Sequence, residues 1–305
     1  MAAPDLRTTS IAIPGGTRPR DEELDLFGLT HIGRVRKTNQ DHFMLCTVHP
    51  QVQMHGTSLP RPEELPLRGE RLATIMLVAD GVGSTAGGGE ASQLTVETIT
   101  RYVASSLRCY HAAGSREDHE FEQALRSAAF EAHAAVKSEA ATRPEPGRMA
   151  TTMTLAIVIW PWVYVVQVGD SRCYHYLDGT LRQVTRDQTM AQALVDEGAL
   201  PQESLHTSPL SHVLVSSIGG DSAAPEVTRL DIHDRNSVLL LCSDGLTKHV
   251  SDAEIAAAIG SMQSSEQLCH ALLQMALERG GSDNITILSG RAPRLRRISG
   301  NPATS

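Results

Sequence analysis

The chain is short of the features that place a protein in a membrane or outside the cell. Aromatic residues make up only 4% of its 305 residues, and no apolar run reaches the roughly 18 residues of a membrane-spanning helix. The first 20 residues lack the basic region and apolar core of a signal peptide. The five cysteines are scattered and form no Cys-x-x-Cys pair, a pattern typical of buried thiols in a reducing compartment. We therefore expect a cytoplasmic protein with no membrane partner.

Positive charge is also scarce. The chain has 27 Lys and Arg against 35 Asp and Glu, a net charge of −8, whereas nucleic-acid-binding domains are usually basic. Nucleic acid is therefore excluded as a general partner.

The 13 histidines include no His-x-x-x-His pair, which argues against a zinc site. Gly87-Gly88-Gly89 lacks the ending of a phosphate-binding loop and is expected to let the chain turn into a helix.

Acidic loops next to apolar runs are the most informative feature that is present. Asp80, Asp170 and Asp244 each follow a β-branched apolar run, and Asp283 directly precedes one. Taken singly, each aspartate is more often a turn or cap residue. Four together at strand ends are typical of a site for a hard cation such as Mg²⁺ or Mn²⁺. Gly81 could turn its carbonyl toward such an ion.

The order of predicted elements gives the fold class. Strands come first, then two long helices over about 90–109 and 118–142, then many strands, two helices from Asp252 and Ser265, and a last strand, 285–288. Asp252 is expected to cap the first of the two later helices. This order fits an α+β fold better than a doubly wound parallel sheet. We predict an αββα four-layer sandwich, two antiparallel β-sheets flanked by helix pairs. Residues 1–22 are expected to be a flexible leader, 23–290 the catalytic domain, and 291–305 a basic tail that is disordered or docks an acidic partner.

Seven short motifs together resemble one enzyme family. They resemble, in order over residues 26–290, the metal-dependent serine/threonine protein phosphatases (PPM, type 2C phosphatases) of the compact bacterial kind. Each motif alone is weak, and their shared order carries the resemblance. The motifs are Gly33–Asp41, Val78–Gly83, Met149–Thr154, Val168–Tyr174, Val184–Thr189, Leu241–Leu246 and Gly281–Thr286.

The resemblance implies roles for the residues that match. Two Mn²⁺ or Mg²⁺ ions would lie between the sheets, with Asp80 bridging them and the Gly81 carbonyl on one. Asp244 and Asp283 would hold the other ion, and Asp41 would act through water in the outer shell. Asp170, with Asp244, would bind a third and weaker metal. Arg36 would bind the substrate phosphate, since a guanidinium pairs with phosphate through two hydrogen bonds, and residues 187–215 would form a flap beside the site.

The chain departs from the family pattern at several positions. Gln40 stands where relatives often have Glu, and Ser84 where bacterial relatives usually have Gly. Val82 occupies the position of a His proposed as general acid in some eukaryotic members, so the general acid is unassigned. Gln188 replaces the His often found in the flap motif. His42 could take part or could point away from the site as a strand residue.

The resemblance implies a phosphatase that hydrolyses phosphoserine and phosphothreonine through a metal-activated bridging hydroxide at a binuclear Mn/Mg site. Its partners would be phosphorylated proteins in signal transduction, with a cognate serine/threonine kinase as one candidate. One alternative is a catalytically inactive member that binds phosphoproteins, which the loss of a bridging aspartate would favour. Another is a phosphatase dedicated to one regulatory partner, which would need an additional sensor or docking domain. Thr151 and Thr152 are expected to be packing residues of a strand.

Overall fold

The computed structural model describes residues 17–55, 57–58, 60–83, 87–113, 118–142, 149–205 and 207–293. Within these ranges the strands are β1 (Asp25–His31), β2 (Asp41–Val48), β3 (Ala73–Val82), β4 (Ala150–Thr151), β5 (Met153–Ile159), β6 (Trp162–Val168), β7 (Arg172–Leu177), β8 (Thr180–Gln183), β9 (Glu226–Asp231), β10 (Val238–Cys242) and β11 (Ile285–Arg291). The α-helices are α1 (Gly87–Ala113), α2 (Asp118–Ala141), α3 (Met190–Asp196), α4 (Asp244–Thr247), α5 (Asp252–Ser261) and α6 (Ser265–Glu278).

The strands form two antiparallel sheets. One has five strands in the order β1-β11-β10-β7-β8, and the other has the order β2-β3-β5-β6-β9 with β4 paired to β3. Helices α1 and α2 cover the second sheet, and α5 and α6 cover the first. The described residues therefore confirm the predicted α+β fold, an αββα four-layer sandwich.

Three apolar layers hold the sandwich together. The middle layer lies between the sheets and joins Met76 and Val78 of β3 to Leu239 and Leu241 of β10. The outer layers use the alternate residues of the same strands, such as Leu77 beneath α1 and α2 and Leu240 beneath α5 and α6. Because central strands are buried on both faces, they are almost continuously apolar in the sequence. This explains why their positions could be predicted.

The strand ends bring the acidic loops to one edge of the sandwich. Asp41 begins β2 and pairs directly with Asp80 near the end of β3. Asp244 follows β10, and Asp283 precedes β11, the antiparallel neighbour of β10. Asp170 lies in the short connection between β6 and β7. Five separate segments of the chain thus deliver carboxylates to the same cleft between the sheets.

Several details differ from the sequence prediction. Strand β9 was not predicted, since this edge strand mixes charged and apolar residues and carries no continuous apolar run. Ser251 caps helix α5, with Glu254 bonded back to it, whereas Asp252 was expected to be the cap. Part of the predicted leader packs on the domain, because Arg71 donates to the Pro19 carbonyl at 2.7 Å.

Other expectations fall outside the described residues. These expectations concern residues 1–16 of the leader, residue 84 with its departure from the family pattern, and residues 294–305 of the tail.

The last strand extends to Arg291, three residues beyond the expected end at Leu288. No helix in the described ranges combines the length and the apolar character needed to cross a bilayer.

The outer core layer beneath α1 and α2 should account for much of the stability. We expect Leu155→Ala to lower the free energy of unfolding by about 2–5 kcal/mol, because this fully buried side chain would leave a cavity. Leu65, which is 38% exposed, is the matched control, and its change to Ala should cost less than about 0.5 kcal/mol. Guanidinium unfolding of the two variants measures the difference, and equal losses would contradict this assignment of the core.

Candidate metal centre

Asp80 lies at the centre of the acidic cluster. Burial raises the pKa of its carboxyl well above the usual range, and the negative charges of Asp41, Asp244, Asp170 and Asp283 raise that pKa further. The other four predicted acidic residues therefore all act electrostatically on Asp80. A cluster of this kind carries more negative charge than its surroundings neutralise, which favours binding of a multivalent cation.

Two threonines fix the backbone of Asp80. Its N–H donates to Thr152 Oγ1 at 3.1 Å, and Thr151 Oγ1 donates to its carbonyl at 2.8 Å. Thr152 Oγ1 also hydrogen-bonds to Ser171 Oγ at 2.7 Å, next to Asp170. The threonines were expected to be packing residues only. Both are buried as expected, and their hydroxyls in addition position Asp80.

Gly81 is held tightly between the β1–β2 loop and helix α1. Its N–H donates to the Gln40 carbonyl at 3.2 Å. A Cβ at this position would come within 2.5 Å of the backbone carbon and oxygen of Gly88, in the first turn of α1. Only glycine permits such a close approach of helix and strand end. The expectation that Gly87-Gly88-Gly89 opens a helix holds, and its packing against Gly81 explains the need for small residues.

Asp41 is buried behind Asp80. Its Oδ2 accepts hydrogen bonds from Ser243 Oγ at 2.8 Å and from Thr286 Oγ1 at 2.7 Å. Burial raises the pKa of Asp41 to about 6, although the two hydroxyls oppose this shift. Its Oδ1 is buried without a hydrogen-bond partner among the described residues. The carboxylate is thus oriented through one oxygen and leaves the other available.

Two cations bind the carboxylate of Asp283. Arg36 contacts it with both Nε, 2.7 Å from Oδ1, and a terminal nitrogen, 2.8 Å from Oδ2. Lys248 Nζ lies 2.7 Å from the same Oδ2 and 2.6 Å from Asp244 Oδ2. Burial alone would raise the pKa of Asp283, but the bonds from Arg36 and Lys248 outweigh it and lower that pKa.

Asn284 positions the loop that carries Arg36. Its side-chain nitrogen donates to the carbonyls of Ile32 and Thr38 at 2.9 and 3.0 Å, and its side-chain oxygen accepts from the Gln40 N–H at 2.9 Å. The Arg36 side chain remains 43% exposed, so part of the guanidinium is open to a ligand. The motif Ser282-Asp283-Asn284 therefore provides a carboxylate and also the clamp for a cationic loop.

Asp170 lies farther toward the segment predicted as a flap. Burial raises the pKa of its carboxyl well above the usual range, followed in effect by the charges of Asp244 and Asp187. Gln188 links this loop to the flap, since its Oε1 accepts from the Gly169 N–H and its Nε2 donates to the Ala224 carbonyl, both at 2.9 Å. Gln188 thus forms defined contacts at a position where the family often has His.

The donor set fits a hard divalent cation. It consists of carboxylate oxygens and the Gly81 carbonyl, and the Oδ1 atoms of Asp41 and Asp244 are buried without hydrogen-bond partners within the described ranges. Across those ranges, no three Asp, Glu, His or Cys side chains converge closely enough to enclose one ion as they stand. Lys248 and Arg36 engage oxygens of Asp244 and Asp283, the carboxylates expected to share an ion.

His42 points toward helix α1. Its Nδ1 lies 2.8 Å from Ser92 Oγ, while that hydroxyl donates to the Gln40 carbonyl. Since a hydroxyl has one proton, Nδ1 of His42 must be the donor in their contact. This contact favours the second of the two alternatives given for His42, a strand residue that points away from the cleft.

Sequence reasoning missed Lys248, Ser243 and Thr286. Lys248 follows Asp244 by four residues, which places both side chains on the same face of a helix, so its spacing was a usable signal. The two hydroxyls had no such signal, because they meet Asp41 only through long-range strand pairing.

A model of the family described as Protein phosphatase 2C matches residues 67–283, more than half of the chain. The chain belongs to the protein phosphatase 2C family. The family resemblance predicted from the motifs is therefore confirmed.

Relatives in this family come from several bacteria. Serine/threonine protein phosphatase PstP of Mycobacterium tuberculosis is 31% identical over 71% of this chain, which spans only 40% of that relative's length. Serine/threonine phosphatase stp of Listeria welshimeri is 29% identical over 70% of this chain and 82% of that protein. The solved structure of the PstP catalytic domain in complex with two manganese ions has a TM-score of 0.67 and 26% identity, covering 88% of this chain and 98% of that one.

Removing the charge of Asp80 should stabilise the protein in the presence of a chelator. The raised pKa of Asp80 means that its neutral form is favoured in the fold, so stability is lost as pH rises above about 4, the unfolded value. At pH 7.5 in EDTA, Asp80→Asn should therefore raise the free energy of unfolding, because the amide has no charge to bury or to place beside the other carboxylates.

This gain should shrink as the pH is lowered toward about 4, where Asp80 is also neutral. Thermal unfolding at several pH values measures it. Asp221, an exposed residue, is the matched control, and Asp221→Asn should change little at any pH. A destabilised Asp80→Asn protein in EDTA would contradict the view that the cluster is held together against repulsion.

Proposed function

We propose that this chain is a metal-dependent protein phosphatase that hydrolyses phosphoserine and phosphothreonine in proteins. The observation that carries the proposal is the meeting of five carboxylates and Arg36 in one cleft, supplied by the family's motifs in the family's order. The names of the relatives support the reaction, and the manganese ions of the PstP structure support the cofactor. The cofactor would be two Mn²⁺ or Mg²⁺ ions, with a third as an additional candidate.

The family resemblance suggests which residues would hold the ions. Asp80 would bridge two ions and the Gly81 carbonyl would contact one of them, while Asp244 and Asp283 would hold the other. When bound, such a pair lowers the pKa of water and neutralises charge that develops on phosphoryl oxygens. Asp170, beside the flap, would serve the third ion.

The chain's own side chains would orient the reaction. Arg36, fixed by Asp283 and still partly exposed, would hold a phosphoryl oxygen. Asp41 would bind water of the outer shell through Oδ1, since its Oδ2 already accepts from Ser243 and Thr286. Proton transfer to the leaving serine or threonine oxygen has no side chain assigned to it, because Val82 cannot act as an acid.

The setting of this activity is part of the proposal. The catalytic domain would comprise residues 23–290, acting on phosphorylated signalling proteins in the cytoplasm, with a cognate kinase as its counterpart. The described cysteines 46, 173, 242 and 269 are free, which suits a reducing compartment. The alternative of an inactive phosphoprotein-binding member finds no support in the site, since every proposed metal ligand is present.

A phosphothreonine peptide assay tests the reaction directly. Mn²⁺ should activate release of phosphate and EDTA should abolish it, because the carboxylates need a bound cation to act. Asp80→Asn should lower kcat by about a hundredfold to a thousandfold, the size of loss seen when one strong electrostatic contact to a transition state is removed. Asp221→Asn is again the control. Full activity of Asp80→Asn at saturating Mn²⁺ would rule out the bridging role of Asp80.

Arg36→Ala tests phosphate binding at saturating Mn²⁺. We expect KM to rise about tenfold or more for a phosphopeptide and for a small aryl phosphate, since a charged hydrogen bond to the phosphate is lost. Arg34 lies on the same loop and is exposed, so Arg34→Ala is the matched control. An unchanged KM for both substrates would show that Arg36 serves only to hold Asp283.

A further inference from the structure

Lys248 places an ammonium group inside the acidic cluster. The residue follows helix α4, four positions after Asp244, and its side chain is only 21% exposed. Its Nζ lies 2.6 Å from Asp244 Oδ2 and 2.7 Å from Asp283 Oδ2. No other cation bridges these two carboxylates among the described ion pairs, and the contacts are short enough for strong, charge-assisted hydrogen bonds.

The remaining oxygens of the two carboxylates are engaged differently. Asp283 Oδ1 accepts from Arg36 Nε at 2.7 Å and from the Asn284 N–H at 2.9 Å. Asp244 Oδ1 is buried and has no hydrogen-bond partner within the described residues. Lys248 therefore engages one oxygen of each carboxylate, and these are the two residues proposed to share one metal ion.

We propose that Lys248 competes with the divalent metal for Asp244 and Asp283 and thereby sets the metal affinity of the site. This inference rests on the proposed metal-dependent function. A carboxylate oxygen that binds a metal ion would be less available to an ammonium group, and two positive charges bound to the same carboxylates would repel each other. By linkage, whatever binding energy Lys248 gains from the carboxylates lowers the affinity for the metal.

The lysine side chain is suited to release the carboxylates. Its ammonium is a single charge at the end of a flexible four-carbon stem, whereas Arg36 is fixed to Asp283 by a planar pair of bonds. Lys248 can therefore move away when an ion binds while Asp244 and Asp283 stay in place. After this movement, the ammonium group of Lys248 would still lie near the cleft.

The direction of the effect separates competition from simple support. If Lys248 only held the two carboxylates in position for the metal, removing it would weaken metal binding. Competition predicts the reverse, since loss of the ammonium would free two oxygens and remove a repulsive charge. The sign of the change in Mn²⁺ affinity therefore decides between the two roles.

Isothermal titration with Mn²⁺ alone gives that sign without any measurement of activity. We expect Lys248→Met to bind Mn²⁺ about tenfold more tightly than the wild type, the order expected for removing one charge a few ångströms from a divalent ion. Lys248→Arg, which keeps the charge, should bind no more tightly than the wild type. Lys137→Met is the matched control, because Lys137 is exposed on α2, on the outside of the other sheet, and its affinity should not change.

Stability in EDTA provides the second measurement. Lys248→Met should unfold at a lower temperature than the wild type there, since two ion pairs in an acidic cluster are lost, and saturating Mn²⁺ should remove this difference. Lys248→Gln repeats the test with a polar neutral side chain should the Met variant fold poorly. An equal or weaker Mn²⁺ affinity in both neutral variants would overturn the competition.

Failure of the inference and failure of the proposed function are distinguishable. Wild-type protein that binds Mn²⁺ and cleaves the phosphopeptide, with unchanged affinity in Lys248→Met, would refute the role of Lys248 alone. Wild-type protein that binds no Mn²⁺ would refute both the metal-dependent function and the competition built upon it.

Discussion

Repulsion among buried carboxylates is the constraint on which the rest of the site depends. The negative charges of its neighbours, added to burial, raise the cost of ionising Asp80, as the upward shift of its pKa records. A fold can keep such groups close together only if rigid elements prevent them from moving apart. Here the rigid elements are the central strands β3, β10 and β11, which are buried on both faces between three apolar layers.

Two side chains of the protein partly neutralise the negative charge of these carboxylates. Arg36 lies on the β1–β2 loop and Lys248 at the end of α4. Although they are far apart in the sequence, both bind Asp283. Hydroxyls of Ser243 and Thr286 orient Asp41 without changing the total charge. Two cations cannot neutralise five carboxylates once all five are ionised. A divalent cation is the simplest group that would balance the remaining negative charge.

The parts of the site that could be predicted are those encoded locally. Asp80, Asp244 and Asp283 adjoin apolar strands, so their positions at strand ends follow from the pattern around them. The partners of those residues could not be found in this way. Thr286 meets Asp41 across 245 positions of the chain, and strand β9 forms only because β6 offers an edge to pair with. Pairing over such distances is decided by the packed fold, which no local pattern records.

Lys248 lies between these two cases, since its spacing from Asp244 is local but its contact with Asp283 is not. On the helix alone it would be an ordinary partner of an acidic residue four positions earlier, with a small effect on stability. The neighbouring strand turns it into a bridge between two proposed metal ligands. The metal affinity of this cleft would then depend on how firmly its own cations hold the carboxylates, as well as on the number of carboxylates. Relatives with the same aspartates but a different residue at this position would differ in affinity for that reason.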